Sequence, residues 1–570
     1  MYLRRSIKSN SPPPGCSPAF LRKNTPRAAR FLLSATVVAA VLPGWIHAAV
    51  RGVYVGNDFY PPITKIEAAR TSGFNRLFLF TLHISANGDV YYNDTPVVRN
   101  GVYVGDPAWA SSLAALRPEI HRIELVIGSW GDQSFSNIKS LVASDGTGSG
   151  SLLYKSFEAL KNATGADAIQ FDDESTYDVS SAVKFGKMIA GLGMKVTLCP
   201  YTAQNFWVNV KAQLGADADA VYLQCYDGGA GNNPATWNNA FGGFKVYPGL
   251  WGNTDTPPSV TSKMRNWQQT QGMDGGFMWL NEALPSDARK WAQSLAYGLE
   301  PLNGLVAADF GVNYAGTGFT GNQGFGFGPW TLSTTGGGSY ISGGTSLFSI
   351  WNSAANGRST AVRSLSSPLK SGQSLLVELQ MNNLDNANNS NRFELRDSAG
   401  NVLFSYFHRG GDNADGHYTD AIGTHPAPGF AYHFGQLDSF RFSLDSATTF
   451  TFTDITTARS VSGTLSGAAV SQVAFVRTNG ATVPGNGQDF RFTGLVVHTP
   501  TTLPVALAKS PTGWTIRFDA TPCLTYRVQR STRLDGGWNG IGEVFAPFNQ
   551  SSFTDTDPPA GKAFYRLITP

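Results

Sequence analysis

The stretch Ala168-Ile169-Gln170-Phe171-Asp172-Asp173-Glu174-Ser175-Thr176 (AIQFDDEST) begins as a buried strand and ends in three consecutive carboxylates. It is one of eight short β-branched or aromatic runs between Val50 and Leu299: VRGVYVG from Val50, RLFLFTL from Arg76, RIELVIG from Arg122, DAIQFDD from Asp167, KVTLC from Lys195, AVYLQCY from Ala220, FKVYPGL from Phe244 and GGFMWL from Gly275. Helical patterns alternate with them, which predicts parallel strands joined by crossover helices. SLLYKSFEALKNA from Ser151 and SAVKFGKMIAGLG from Ser181 each carry an apolar stripe, and SDARKWAQSLAYGL starts with Ser286 as a candidate cap. Eight strands over roughly 250 residues predict a (β/α)8 TIM barrel. Asn87 to Asp106 interrupts the pattern as a long polar loop with a hairpin signal of its own.

The chain of 570 residues exceeds what a single core organises. Residues 1-49 hold seven Lys/Arg and no acid, followed by the apolar run FLLSATVVAAVLPGWIHAA from Phe31, and this predicts a signal peptide and export to the periplasm or the medium. Without those seven charges the formal +3 falls to about −4, so nucleic acid is not the expected partner. No later run reaches the roughly 18 apolar residues of a membrane span. After the barrel (50-302), residues 303-500 are rich in Gly, Ser, Thr, Asn and Phe with period-two runs such as SFRFSL and DFRFTGLVV, which predicts an antiparallel β-sandwich with a role in carbohydrate binding, spacing or surface attachment. Residues 501-570 read as a smaller fibronectin-like β module. Cys199, Cys225 and Cys523 remain beyond the leader. Cys199 and Cys225 fall on neighbouring strands, where they form either a bridge or two small buried hydrophobes.

Side chains alternate across a strand, so Gln170, Asp172 and Glu174 share one face and Ile169, Phe171 and Asp173 the other. The first set points into the barrel, and the C-terminal rim is where barrels of this kind carry their active sites, which puts Glu174 at the mouth with Asp172 one layer beneath. Two stacked, partly desolvated carboxylates repel each other, so the outer one keeps its proton near neutral pH and can act as a general acid. Acids that merely solvate a strand end or cap the next helix are the plainer explanation, and it suits Asp173, which faces the helices.

The spacing Asp167, Gln170, Asp172, Glu174 resembles the DxxDxDxE signature of glycoside hydrolase family 18, the chitinases and related endo-β-N-acetylglucosaminidases, with Gln at the second Asp. VIGSW from Val126 resembles that family's third strand, LQCYDGGAGNNP from Leu223 its sixth in the plant, hevamine-type branch, PGLWGNTDTPPSV from Pro248 its seventh and GGFMW from Gly275 its eighth. The resemblance covers the barrel only. It implies that Glu174 protonates the glycosidic oxygen while the substrate's own N-acetyl carbonyl is the nucleophile, with retention and without a metal or other cofactor. Asp172 would hold the acetamido N–H, Tyr226 would position the acetyl oxygen, Gln224 would line the same subsite, and Asp167 would give structural support. Strand parity agrees, since Tyr222, Gln224 and Tyr226 share a face, with Tyr222 deep enough for core packing.

Two departures from the family carry expectations. Gln170 cannot ionise, so it is expected to keep Asp172 ionised over a wider pH range. Trp279 directly follows Met278, where the family places its subsite-floor Trp one residue later, so either a bulge restores its direction or another aromatic stacks on the sugar. Trp130, Tyr201, Trp251 and Asn281 lie near strand ends and complete an expected sugar-binding rim.

The predicted activity is an exported retaining glycosidase on β-linked N-acetylglucosamine glycans, chitin-like or N-glycan core, with the glycan as partner and the oligomeric state left open. Two rivals remain: a barrel that has lost turnover and acts as a lectin, and a two-carboxylate glycosidase on non-acetylated sugars. The latter needs a second rim acid about 5 Å from Glu174. Asp227 and Glu282 are candidates, although both fall on the outward parity of their strands. GTGFTG from Gly316 fits GxGxxG without a following helix, and His408, His417, His425 and His433 with Asp412, Asp415 and Asp420 fit no zinc spacing, so neither is read as a site.

Overall fold

A computed structural model describes residues 49–570 except 118, 301, 316–317, 382–387, 411–414, 432, 434, 481–488, 500–504, 511–512, 521–523, 534–536, 547–549, 560–562 and 569–570. The leader expected at 1-49, except Ala49, lies outside the described residues, as do Asp412, Cys523 and the first two residues of the GTGFTG stretch.

Eight parallel strands, Val50–Val55, Arg76–Ile84, Arg122–Ile127, Ala168–Phe171, Lys195–Leu198, Ala218–Gln224, Tyr247–Trp251 and Gly275–Trp279, pair in chain order. The first also pairs with the eighth, Val50 opposite Gly275, and closes the barrel. All eight runs read from the sequence are strands. Their outward side chains, among them Leu77, Leu125, Ile169, Phe171, Val196 and Met278, pack under the surrounding helices in one continuous core. The polar loop after the second strand adds an antiparallel extension built from Val90–Tyr92, Thr95–Arg99 and Val102–Tyr103.

Local chemistry sets the helix starts. Ser151 caps Leu152–Thr164 by accepting from the Tyr154 amide, and Asp178 caps Val179–Gly191 by accepting from the Ser181 amide at 2.9 Å. The expected cap at Ser286 is not made. The last barrel helix runs Arg289–Leu299 with Ala288 at its cap position, and the Ser286 hydroxyl donates instead to the Ala315 carbonyl.

The lumen is filled in layers. At the base, Glu124 is fully buried, pairs with Arg122 at 2.9 Å and accepts from Thr197 and the Tyr222 hydroxyl, so Tyr222 is core as parity suggested. Above it Tyr54, Phe78 and Phe277 pack edge to face and floor the mouth.

Beyond the barrel the strands are antiparallel. Two sheets of eight and seven strands, running between Leu305–Asp309 and Phe490–His498, enclose a phenylalanine-rich core that includes Phe393, Phe404, Phe442, Phe452, Phe475 and Phe492, a sandwich-like arrangement. Two three-stranded sheets follow between Val505 and Ile568. Their core residues Ile516, Phe518, Tyr526 and Val528 belong to one cluster with Ala296 and Tyr297 of the last barrel helix and with Leu376 and Val496 of the eight-stranded sheet. Among the histidines, His425 pairs with Asp420 and His433 with Asp438, each within the sandwich.

Candidate active site

The fourth strand ends at Phe171, and the next three residues build the mouth. The Asp172 amide donates to the Ile127 carbonyl at 2.9 Å, which holds the turn against the third strand. That strand leaves through Gly128 at φ +93, where a Cβ would stand 2.4 Å from the Asp172 carbonyl oxygen, so only glycine lets the two chains pass this closely. Asp173 turns outward, and its carboxylate accepts from the amides of Ser175, Thr176 and Tyr177. It caps no helix, since Asp178 holds that position for the next one, and instead fixes the loop bearing Glu174.

Asp172 and Glu174 open into one cleft of about 470 Å³ with Gln224, Tyr226, Trp130, Tyr201, Trp251 and Trp279 on its walls. Gln224 ties the two acids together: its Nε2 lies 3.1 Å from Asp172 Oδ1 and 3.4 Å from Glu174 Oε1. Burial pushes the Glu174 carboxyl above the ordinary glutamate range, the Gln224 amide opposes this, and the charges of Asp227 and Asp173 add to it. Asp172 is pushed up further, by deeper burial and then by the Glu174 charge, against donors on Cys199 and Gln224. An Asp172 kept ionised by Gln170 is therefore not what the surroundings favour. Gln170 lies one layer down, fully buried, with its Oε1 accepting from the Tyr54 hydroxyl and its Nε2 without a partner among the described residues. It donates nothing to Asp172 and does not reach the cleft.

Trp279 needs no bulge. The eighth strand keeps regular register with both neighbours, Met278 faces the helices, and Phe277 and Trp279 alternate into the lumen. Trp279 stands edge to face with Tyr54 at 5.2 Å and with Phe80 at 5.0 Å. Trp130 is 84 % exposed at the rim. Asn281 lies outside the cleft wall and acts through another residue, accepting from Trp251 Nε1 at 2.8 Å and donating to Asn253. Asp167 is far below, at the other end of its strand, clamped by Arg117 at 2.6 Å and by the Ile123 amide at 2.7 Å. Cys199 and Cys225 are both free thiols.

Four wall residues escaped the sequence reading, Tyr54, Phe80, Ser129 and Gly228, and two more, Asp227 and Glu282, were weighed there as a second acid but aimed outward. Tyr54 was available by parity, since it is the last inward position of the first strand. Asp227 and Glu282 were aimed outward by alternation carried past the strand ends, and the structure corrects this. The sixth strand stops at Gln224 and the eighth at Trp279, after which Asp227 (φ +46), Asn281 (φ +55) and Glu282 (φ +59) adopt left-handed backbone, which resets the side-chain direction.

No family model and no curated protein matches the sequence. Among solved structures, similar ones include a GH18 chitinase from Pseudoalteromonas aurantia (TM-score 0.34, 14 % identity, 44 % of this chain and 100 % of that one). Others are the spore cortex-lytic enzyme SleL of Bacillus cereus (0.33, 14 %, 44 % and 74 %) and a chitinase from Bacteroides thetaiotaomicron (0.31, 13 %, 41 % and 89 %). Likeness at this level speaks to neither substrate nor activity.

Proposed function

We propose that the chain is an exported retaining glycosidase of the family 18 type, acting on β-linked N-acetylglucosamine glycans, chitin-like or N-glycan core, by substrate-assisted hydrolysis. The observation that carries the reading is the convergence of Glu174, Asp172 and Tyr226 on one aromatic-walled cleft, with Gln224 bridging the two acids. The raised Glu174 carboxyl supports a role as proton donor near neutral pH. In the reaction its O–H protonates the glycosidic oxygen as the C1–O bond breaks, and the substrate's acetyl oxygen bonds to C1 from the opposite face. Asp172 accepts the acetamido N–H and balances the positive charge that develops on the ring. Tyr226 suits the acetyl oxygen, because it lines the same cleft as the two acids. Glu174, now a carboxylate, then takes a proton from the water that reopens C1, and configuration is retained. Both carboxyls are raised in the free protein, Asp172 the further, so the reaction requires that bound substrate leave Asp172 charged and Glu174 protonated.

Incubation with chitin oligosaccharides and with a high-mannose glycopeptide, beside Glu174→Gln and a thiazoline mimic of the oxazolinium ion, tests the reading. Turnover abolished by the variant and inhibited by the thiazoline supports it. Binding without turnover makes the protein a lectin. One observation favours a second reading, a two-carboxylate glycosidase on non-acetylated sugars: Asp227 and Glu282 share the cleft with Glu174. Turnover of non-acetylated glycans that is lost in Asp227→Asn would select it.

A further inference from the structure

The outer face of the eight-stranded sheet carries a tryptophan that packing does not explain. In the strand Phe348–Asn352, Phe348 and Ile350 point into the phenylalanine-rich core, so Ser349 and Trp351 point away from it. Trp351 is 38 % exposed. Among the described residues it makes no ring contact, and its Nε1–H makes no hydrogen bond. A single exposed aromatic is ordinary, but the surroundings of this one are not. Its cross-strand partner in Gly337–Ile341 is Gly338, where a Cβ would stand 2.9 Å from Trp351 Nε1 and 3.1 Å from Cε2. The missing side chain leaves the room into which the indole leans.

Beside the indole one register row crosses the sheet. Tyr340 pairs with Ser349, Ser349 with Arg491 of Phe490–His498, and Arg491 with Gln380 of Ser374–Met381. Diagonal neighbours on one face of a sheet lie within reach of long and aromatic side chains, so Tyr340 and Arg491 both flank Trp351. Asp489 locks the row: its Oδ2 accepts from the Tyr340 hydroxyl and, at 3.2 Å, from Arg491 Nη2, while Gln380 Oε1 accepts from Arg491 Nη1 at 3.4 Å. The charges of Asp489 and Arg491 offset each other, and their side chains stay 15 % and 29 % exposed. Asp489 Oδ1 and Trp351 Nε1 are left as an unused acceptor and an unused donor among the described residues.

This combination selects a ligand class. A pyranose ring has an apolar C–H face and a rim of hydroxyls that both donate and accept, so it needs an aromatic surface with planar polar side chains beside it. The bonds to Tyr340 and Gln380 hold the polar pair in place before any ligand arrives, which lowers the cost of binding. An anionic sugar would find the Arg491 charge already spent on Asp489. We propose that this face is a second glycan-binding site, where Trp351 stacks on one pyranose ring of a neutral polysaccharide and Asp489 and Arg491 bond its hydroxyls. The ring is a hexose or an N-acetylhexosamine, which share this chemistry. The site has no residue in common with the barrel cleft and requires no turnover there.

The test uses the full protein carrying Glu174→Gln, so that no probe is cleaved, with 5-fluorotryptophan incorporated and the Trp351 fluorine resonance identified by its loss in Trp351→Phe. Chitin hexasaccharide and cellohexaose are the neutral probes, and an oligogalacturonate is the charged one. The Trp351 resonance is expected to shift saturably with a neutral probe and to stay still with the oligogalacturonate. Response to chitin hexasaccharide alone marks the ring as an N-acetylhexosamine, and response to cellohexaose marks it as a hexose. Asp489→Ala should weaken that binding about fivefold. With Glu174 restored, Trp351→Ala should lower retention on the insoluble form of the responding polymer about fivefold and leave kcat on soluble oligosaccharides within about twofold. A Trp351 resonance unmoved by both neutral probes at millimolar concentration overturns the inference, and so does a shift that Asp489→Ala leaves unchanged. A responding resonance in a protein that hydrolyses nothing would defeat the proposed function and leave this site standing.

Discussion

A side-chain carbon on Gly128 would stand 2.4 Å from the carbonyl oxygen of Asp172, so the third and fourth barrel strands touch through backbone alone at the point where the acidic loop begins. Gly128→Ala combines a left-handed backbone with a clash against a main-chain atom that cannot move aside. We expect a loss of about 2–4 kcal/mol in stability, read by denaturant unfolding, and a fall in activity greater than the unfolded fraction explains.

Asp172 and Glu174 are both raised by burial, which gives stability a defined pH dependence. The folded protein holds protons at a pH where the unfolded chain has released them. Their contribution is thus complete below about pH 4 and is lost as pH rises through the folded values. Asp172→Asn removes the buried ionisation, so its melting temperature should exceed that of the natural protein at pH 7 to 8, with the gap closing toward pH 4. A gap that widens on acidification would contradict the assignment.

Tyr226 and Gln224 separate by kinetics. Loss of the Tyr226 hydroxyl in Tyr226→Phe removes an interaction made with the attacking acetyl oxygen, so kcat should fall about 10–100-fold with a small change in KM. Gln224→Ala frees Glu174 of a donor that favours its charged form, so the basic limb of the profile should move upward.

Trp130 is the most exposed aromatic of the cleft and has the least to do with packing. Trp130→Ala should leave melting unchanged and raise KM about fivefold for long oligosaccharides only, the loss expected when about 1 kcal/mol of stacking on a distant ring disappears.

The strands were legible because burial on both faces demands apolar runs, and the acidic strand was legible because alternation is rigid inside a sheet. The same rule failed one residue past the strands. Asp227 and Glu282 sit on left-handed backbone that no local pattern in YDGG or LNEA announces, and so they were aimed away from a cleft they line. Gln170 was misjudged for a different reason. Strand parity put it beneath Asp172, which is correct, but its partner Tyr54 comes from a strand 116 residues away in sequence, and no spacing within one strand conveys that. Trp279 shows the converse: a one-residue departure from a family pattern was absorbed without a bulge, because plain alternation already turned it inward.

The most direct measurement compares the hydrolysis of a chitin tetrasaccharide with that of its fully de-N-acetylated counterpart, following the anomeric form of the first product by proton NMR. Participation of the acetyl group by way of Glu174, Asp172 and Tyr226 predicts turnover of the acetylated chain alone, with the β-anomer appearing first and about 10²–10⁴-fold loss in Glu174→Gln. Equal turnover of both chains, or an α-anomer as first product, would contradict it.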